Sequence, residues 1–135
     1  MTIELLKKID ITYDQFENVI VTALEGGSNY WYAIDVAEFK DKLPLPRESM
    51  SVRIAKGIWD NPELEINVYD CEHYDEDAED NTILGQISLN NFKKALAKLN
   101  EESSWALDEL LDDNLDADSA DVIFQYIVLG ELTYC

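Results

Sequence analysis

Residues able to do chemistry gather in a few short stretches of this 135-residue chain. Asp70, Cys71, Glu72, His73 and Asp75 put metal-capable side chains side by side. A structural zinc site wants four ligands, usually as two spaced pairs, and no second pair exists, so no metal site is expected there. Asp112, Asn114 and Asp116 repeat the first three ligand positions of a calcium loop, and then the pattern fails. Ala117 stands where the sharp turn needs Gly, and Ile123 where the bidentate Glu belongs. His73 is the only histidine, which leaves a Ser or Cys nucleophile one candidate base. No GxSxG elbow, Walker loop, GxGxxG turn or HExxH helix occurs. Carboxylates are abundant, but a general acid needs burial to raise its pKa, and these runs read as solvated. The expectation is a binding protein with no catalytic residue, metal or cofactor.

Two other places suit a ligand. Gly26-Gly27-Ser28-Asn29-Tyr30-Trp31 combines glycines, which let backbone amides approach an anion, with rings that stack on a base. The same residues would also serve as a helix stop followed by core aromatics. Glu25, before the glycines, and Glu131, after Gly130, sit at helix ends. There each reads either as a buried group lining a pocket or as a carboxylate satisfying backbone donors in a turn.

The charge is the third feature. The chain carries 29 acids against 10 bases, a formal net charge of −19. Up to residue 60 there are 10 acids and 7 bases; beyond it, 19 acids and 3 bases. Asp70, Glu72, Asp75, Glu76, Asp77, Glu79 and Asp80 form one cluster, and Asp108, Glu109, Asp112, Asp113 and Asp116 belong to a second between 101 and 121. Such a field repels duplex phosphate and anionic lipid, so neither nucleic acid nor membrane is an expected direct partner. The start of the chain shows no basic stretch followed by an apolar one, and no apolar run approaches the roughly 18 to 20 residues of a membrane span. Cys71 and Cys135 form no disulfide framework, which points to a reducing, intracellular compartment.

The elements that would position these residues follow from periodicity. In 13–25, Phe16, Val19, Ile20, Ala23 and Leu24 make a helical stripe, with Thr12 or Asp14 as cap and Gly26-Gly27 supplying a left-handed stop. Tyr30–Ile34 suits a short strand or packed loop. Pro44 and Pro46 interrupt the chain before a helix expected over 48–56 and ended by Gly57. Residues 64–69 and 83–89 alternate as a hairpin with the acidic segment at its tip. A helix capped by Ser88 or Asn90 follows, with Phe92, Ala95, Leu96 and Leu99 on one face and Lys93, Lys94 and Lys98 on the other. A shorter helix covers 105–111. Asp118 with Asp121 resembles a capping box opening a central helix over 119–129 that Gly130 ends. With 47% apolar residues, the expected class is α+β, several helices around a small antiparallel sheet in a single domain over 1–135.

Two stretches, Ala23-Leu24-Glu25-Gly26-Gly27-Ser28-Asn29-Tyr30-Trp31 and Asp118 to Tyr134, resemble the signatures of a family of small proteins encoded by tailed phages and prophages of gut bacteria. The pattern is alanine-leucine-glutamate-glycine-glycine leading to tyrosine-tryptophan, then a closing aspartate-rich helix with glutamine, glycine-glutamate and tyrosine. The likeness runs through most of the chain and is looser in the middle hairpin. Family members often carry an apolar residue in place of Ser28 and a Gly in place of Cys135. The resemblance implies a phage origin, residence in the host cytoplasm and one shared feature built from Glu25, Gly26, Gly27, Tyr30, Trp31, Gln125, Gly130, Glu131 and Tyr134, as keystone or as pocket. It brings no activity of its own. Charge and context together favour an inhibitor of a host defence or nucleic-acid-acting protein with a basic surface, acting as a DNA mimic. The alternatives are an oligomer, built from further copies of the chain, that sequesters a nucleotide signal, and a plain interaction or assembly protein.

Overall fold

The computed structural model describes residues 1–4 and 8–134; Cys135 lies outside them. Five α-helices surround a two-stranded and a three-stranded antiparallel sheet, the α+β arrangement expected. Strands β1 (Thr2–Glu4) and β2 (Lys8–Asp10) pair so that Ile3 and Ile9 stand opposite each other, both buried. Three-residue strands are too short to show alternation in a sequence.

Helix α1 (Tyr13–Thr22) opens with a complete capping box. Thr12 Oγ accepts from Gln15 N–H at 3.2 Å, and the Gln15 carboxamide oxygen accepts from Thr12 N–H at 3.0 Å. Its stripe of Phe16, Val19 and Ile20 is fully buried. The expected left-handed stop at Gly26-Gly27 does not form. The helix instead widens into a π-turn over Ala23–Gly27, and Gly130 is the glycine with positive φ among the described residues. Gly27 is needed for space: a Cβ there would lie 2.6 Å from the carbonyl oxygen of Ala117.

Helix α2 (Met50–Asp60) likewise runs through Gly57 rather than ending there. The missing Cβ admits the Leu43 side chain, whose Cδ2 would otherwise sit at 2.8 Å. Arg53 fastens the preceding Pro-broken loop by donating from Nε to the Pro44 carbonyl at 3.0 Å and from Nη2 to that of Lys40 at 3.2 Å.

The three-stranded sheet runs β3 (Tyr32–Ala33), β4 (Ile66–Asp70), β5 (Ile83–Ile87), all neighbours antiparallel. Tyr32 pairs with Asp70 and Val68 with Gly85, and a bulge follows Val68. The second strand of the hairpin stops at Ile87 because the buried Ser88 caps α3 (Leu89–Glu102), accepting from Asn91 N–H at 3.0 Å. Phe92, Ala95, Leu96 and Leu99 face the core as their spacing requires, and Lys93, Lys94 and Lys98 face solvent.

Helices α4 (Ser104–Leu111) and α5 (Ala117–Leu129) complete the chain. Every residue of α5 from Ser119 to Val128 is buried, since α1, α3, α4, β5 and the π-turn all pack around it. The capping box that opens it belongs to Asp116 and Ser119, two residues before Asp118 with Asp121. Gly130, with φ of 76°, ends it. Strand β5 crosses α5 so closely that a Cβ on Gly85 would lie 1.8 Å from the carbonyl oxygen of Val128.

Candidate functional site

Displaced from the cap, Asp121 points inward and becomes the centre of a buried network. Its Oδ1 accepts from Ser28 Oγ at 2.7 Å and Trp31 Nε1 at 2.8 Å; its Oδ2 accepts from Tyr30 Oη at 2.6 Å and Gln125 Nε2 at 3.1 Å. A carboxylate taken from water is costly unless hydrogen-bonded, and these four donors supply the compensation. Gln125, one helical turn along α5, extends the network. Its Oε1 accepts from the backbone N–H of Thr133 and Tyr134, and its Nε2 also donates to the Tyr134 carbonyl at 3.1 Å. The segment after α5 is thereby tied to the helix, and Tyr134 stacks on Trp31 with centroids 5.2 Å apart at 13°.

Tyr30, Trp31, Gln125 and Tyr134 therefore do come together, with Gly26 and Gly27 on the adjoining π-turn. The buried acid among them is Asp121. Glu25 and Glu131 are exposed, which corrects the reading of either as a buried group, although Glu25 does edge a separate cavity of about 230 Å³ beside Tyr32 and Ile54. Glu25 rides on the outer side of the widened turn, and Glu131 follows the left-handed residue that directs the chain off the helix. The missed signal is a polar pair at i, i+4, Asp121 and Gln125, inside an otherwise apolar helix.

Beside the network lies a cavity of about 250 Å³ lined by Tyr30, Trp31, Tyr134, Asp70 and Glu72. Asp70 ends β4, and its Oδ2 stands 3.0 Å from His73 Nδ1 while its Oδ1 accepts from Glu72 N–H at 3.0 Å. The His73 contact first, and the backbone donor second, hold the Asp70 carboxyl below its ordinary range. The same contact raises the His73 imidazole. Burial, then the charges of Asp70 and Glu72, push the Cys71 thiol up, away from the thiolate a nucleophile requires. Cys71 Sγ donates to the Tyr30 carbonyl at 3.2 Å. Asp70, Glu72 and His73 offer ligand atoms within 4.8 Å of one another, three rather than four.

The acidic clusters face outward. Glu72, Asp75, Glu76, Asp77, Glu79 and Asp80 are exposed, with Asp70 half-buried at the root of the loop. The loop is folded: the Asn81 carboxamide clasps the Asp75 backbone, accepting from its N–H at 3.0 Å and donating to its carbonyl at 2.8 Å, and the Asp75 carboxylate accepts from Asp77 N–H at 2.9 Å. In the second cluster Asp108, Asp112, Asp113 and Asp116 are exposed and Glu109 is half-buried. Asp116, the third residue of the calcium-loop imitation, is engaged in capping α5, and the Ser119 N–H holds its carboxyl low. Among the described residues the ion pairs are Lys56 with Asp60 and His73 with Asp70, so none of the exposed acids from 75 to 80 or 108 to 118 is neutralised by a cation. The lysine island stands apart; its Lys94 and Lys98 line a groove of about 530 Å³ between α3 and the end of α5, where Lys98 Nζ donates to the Gly130 carbonyl at 2.7 Å.

Among the described residues no helix is long and apolar enough to cross a membrane. Compared with known proteins, the chain matches no protein-family model, no curated protein and no solved structure.

Proposed function

We propose that this chain is an acidic binding protein of phage or prophage origin that occupies the basic groove of a host protein acting on nucleic acid, as a mimic of the DNA backbone. The observation that carries the reading is a set of exposed, unneutralised carboxylates held on ordered backbone. Asp75 to Asp80 sit on a clasped loop, and Asp108 to Asp118 on the junction of α4 with the capped helix α5. Duplex DNA presents about one charge per 1.7 Å of axis, and only clustered acids approach that density. Fixed carboxylates also bind a basic groove at a lower entropic cost than a disordered tail of the same charge would. The phage origin, and with it a site of action in the host cytoplasm, is supported by the two signature stretches. A phosphate-bearing ligand at the Tyr30–Tyr134 cavity is disfavoured by Asp70 and Glu72 at its edge, so a nucleotide sponge receives less support.

The test measures duplex-DNA cleavage and DNA binding in extracts of gut bacteria, with native protein and with a variant carrying Asn or Gln at positions 75, 76, 77, 79, 80, 112 and 113. Asp70, Asp116 and Asp121 are left intact because they hold the fold. The native protein should suppress one such activity in a salt-sensitive manner, and the variant should lose about tenfold or more of that potency while keeping its circular dichroism. Equal suppression by both, or none by either, overturns the mimic.

A further inference from the structure

We propose that the cavity bounded by Tyr30, Trp31, Tyr134, Asp70 and Glu72 is a binding site for an alkylammonium cation, the group shared by small amines and lysine side chains. Its volume of about 250 Å³ exceeds several times the ~30 Å³ share of a liquid water, enough for an ammonium head with its methyl or methylene groups. The walls are aromatic. Tyr30 and Tyr134 meet edge to face at 89° with centroids 6.5 Å apart, and Trp31 backs Tyr134 in a parallel stack. Aromatic faces carry negative potential and attract cations that are only weakly hydrated.

The walls are also fixed before any ligand arrives. The Tyr30 hydroxyl is held by Asp121, the Tyr134 backbone by Gln125 and the Trp31 indole by Asp121, so little ordering remains to oppose binding. Two carboxylates complete the lining. Asp70 keeps its charge through His73 and the Glu72 N–H, and Glu72 is exposed at the edge. Burial first, and then the neighbouring Asp70 and Glu72 among other groups, raise the Tyr134 phenol. Anions are repelled by this combination. A divalent ion gains nothing from the aromatic faces, and Asp70 already has both oxygens engaged.

The inference is separate from the mimic reading, which depends on carboxylates outside the cavity. Its test is a ¹H–¹⁵N NMR titration of the full chain, at constant ionic strength, with tetramethylammonium, n-butylammonium, a blocked single-lysine peptide, the neutral isostere 3,3-dimethylbutanol, and magnesium. The cations should give saturable shifts at Tyr30, Trp31, Glu72 and Tyr134, including the Trp31 indole N–H. Glu72→Gln and Tyr134→Leu should each weaken binding about fivefold, and Tyr134→Phe should retain it. Tighter binding of the lysine peptide would name a protein side chain as occupant, and tighter binding of the free amines a small molecule; both support the site. Equal shifts with the neutral isostere, shifts that never saturate, affinity unchanged in Glu72→Gln and Tyr134→Leu, or stronger shifts with magnesium at the same residues would overturn it.

Discussion

Replacing Asp121 with Ala removes the acceptor on which the Gly27–Tyr32 segment and α5 converge. Four donors lose a partner, but not equally. The Tyr30 hydroxyl belongs to a side chain 45% exposed and can turn to water, and Gln125 Nε2 keeps the Tyr134 carbonyl. Ser28 and Trp31, at 0% and 2% exposure, keep neither solvent nor an alternative acceptor. Stranding a buried donor costs about 1–3 kcal/mol, so the two together predict a loss of about 2–6 kcal/mol, set against a total of about 5–15 kcal/mol for a domain. Removing the buried charge gives some of this back, which favours the lower half of the range. Asp121→Asn should cost less, because Oδ1 still accepts from Ser28 and Trp31 and only the Gln125 contact becomes donor against donor. Urea unfolding followed by far-ultraviolet circular dichroism measures both, with Trp31 fluorescence as a local probe. A loss below about 1 kcal/mol for Asp121→Ala, or a larger loss for Asn than for Ala, would refute the keystone argument.

Three further outcomes follow from the same geometry. Gly85→Ala should lose at least the ~1–3 kcal/mol typical of overpacking, since its Cβ meets the Val128 backbone, whereas Gly26→Ala, with open space around it, should be neutral or gain a few tenths; thermal melts of the pair check this. The Asp70–His73 pair should contribute its full stability between pH ~4 and ~6.5 and fade on either side. Asp70, lowered, loses its contribution as pH falls through its folded value, and His73, raised, loses its own as pH rises through its folded value. An NMR titration should place the native His73 midpoint above ~6.5 and return it toward that value in Asp70→Asn; an unchanged midpoint would contradict the pairing. Gly130→Ala should cost about 1 kcal/mol in chemical denaturation, because φ of 76° is strained for any residue with a Cβ.

What could be read from the sequence is what depends on near neighbours. The stripe of Phe92, Ala95, Leu96 and Leu99, the alternation in the acidic-tipped hairpin and the terminator Gly130 each lie within one element, and each took the expected place. The two other glycine expectations failed for one reason. Gly27 and Gly57 were read by their local habit of ending helices, but both serve close packing against Ala117 and Leu43, partners that periodicity does not show. Asp121 was hidden in the same way. Three residues after another aspartate it reads as a cap, while its donors Ser28, Tyr30 and Trp31 lie 90 or more positions earlier. The exposure of the acidic clusters was legible because clustered carboxylates repel burial and one another. The sites of Glu25 and Glu131 were not, since a helix end says nothing about which side of the turn its side chain leaves by.

The central claim, that the exposed carboxylates stand in for a nucleic acid backbone, is tested most directly by competition. Proteins from a gut-bacterial extract are captured on the immobilised chain and challenged with duplex DNA, then with rising salt. The account predicts that the captured species is released by duplex DNA, that its retention falls steeply as screening increases, and that the variant neutralised at positions 75, 76, 77, 79, 80, 112 and 113 fails to capture it. Retention that duplex DNA leaves unchanged, on native protein and neutralised variant alike, would contradict it.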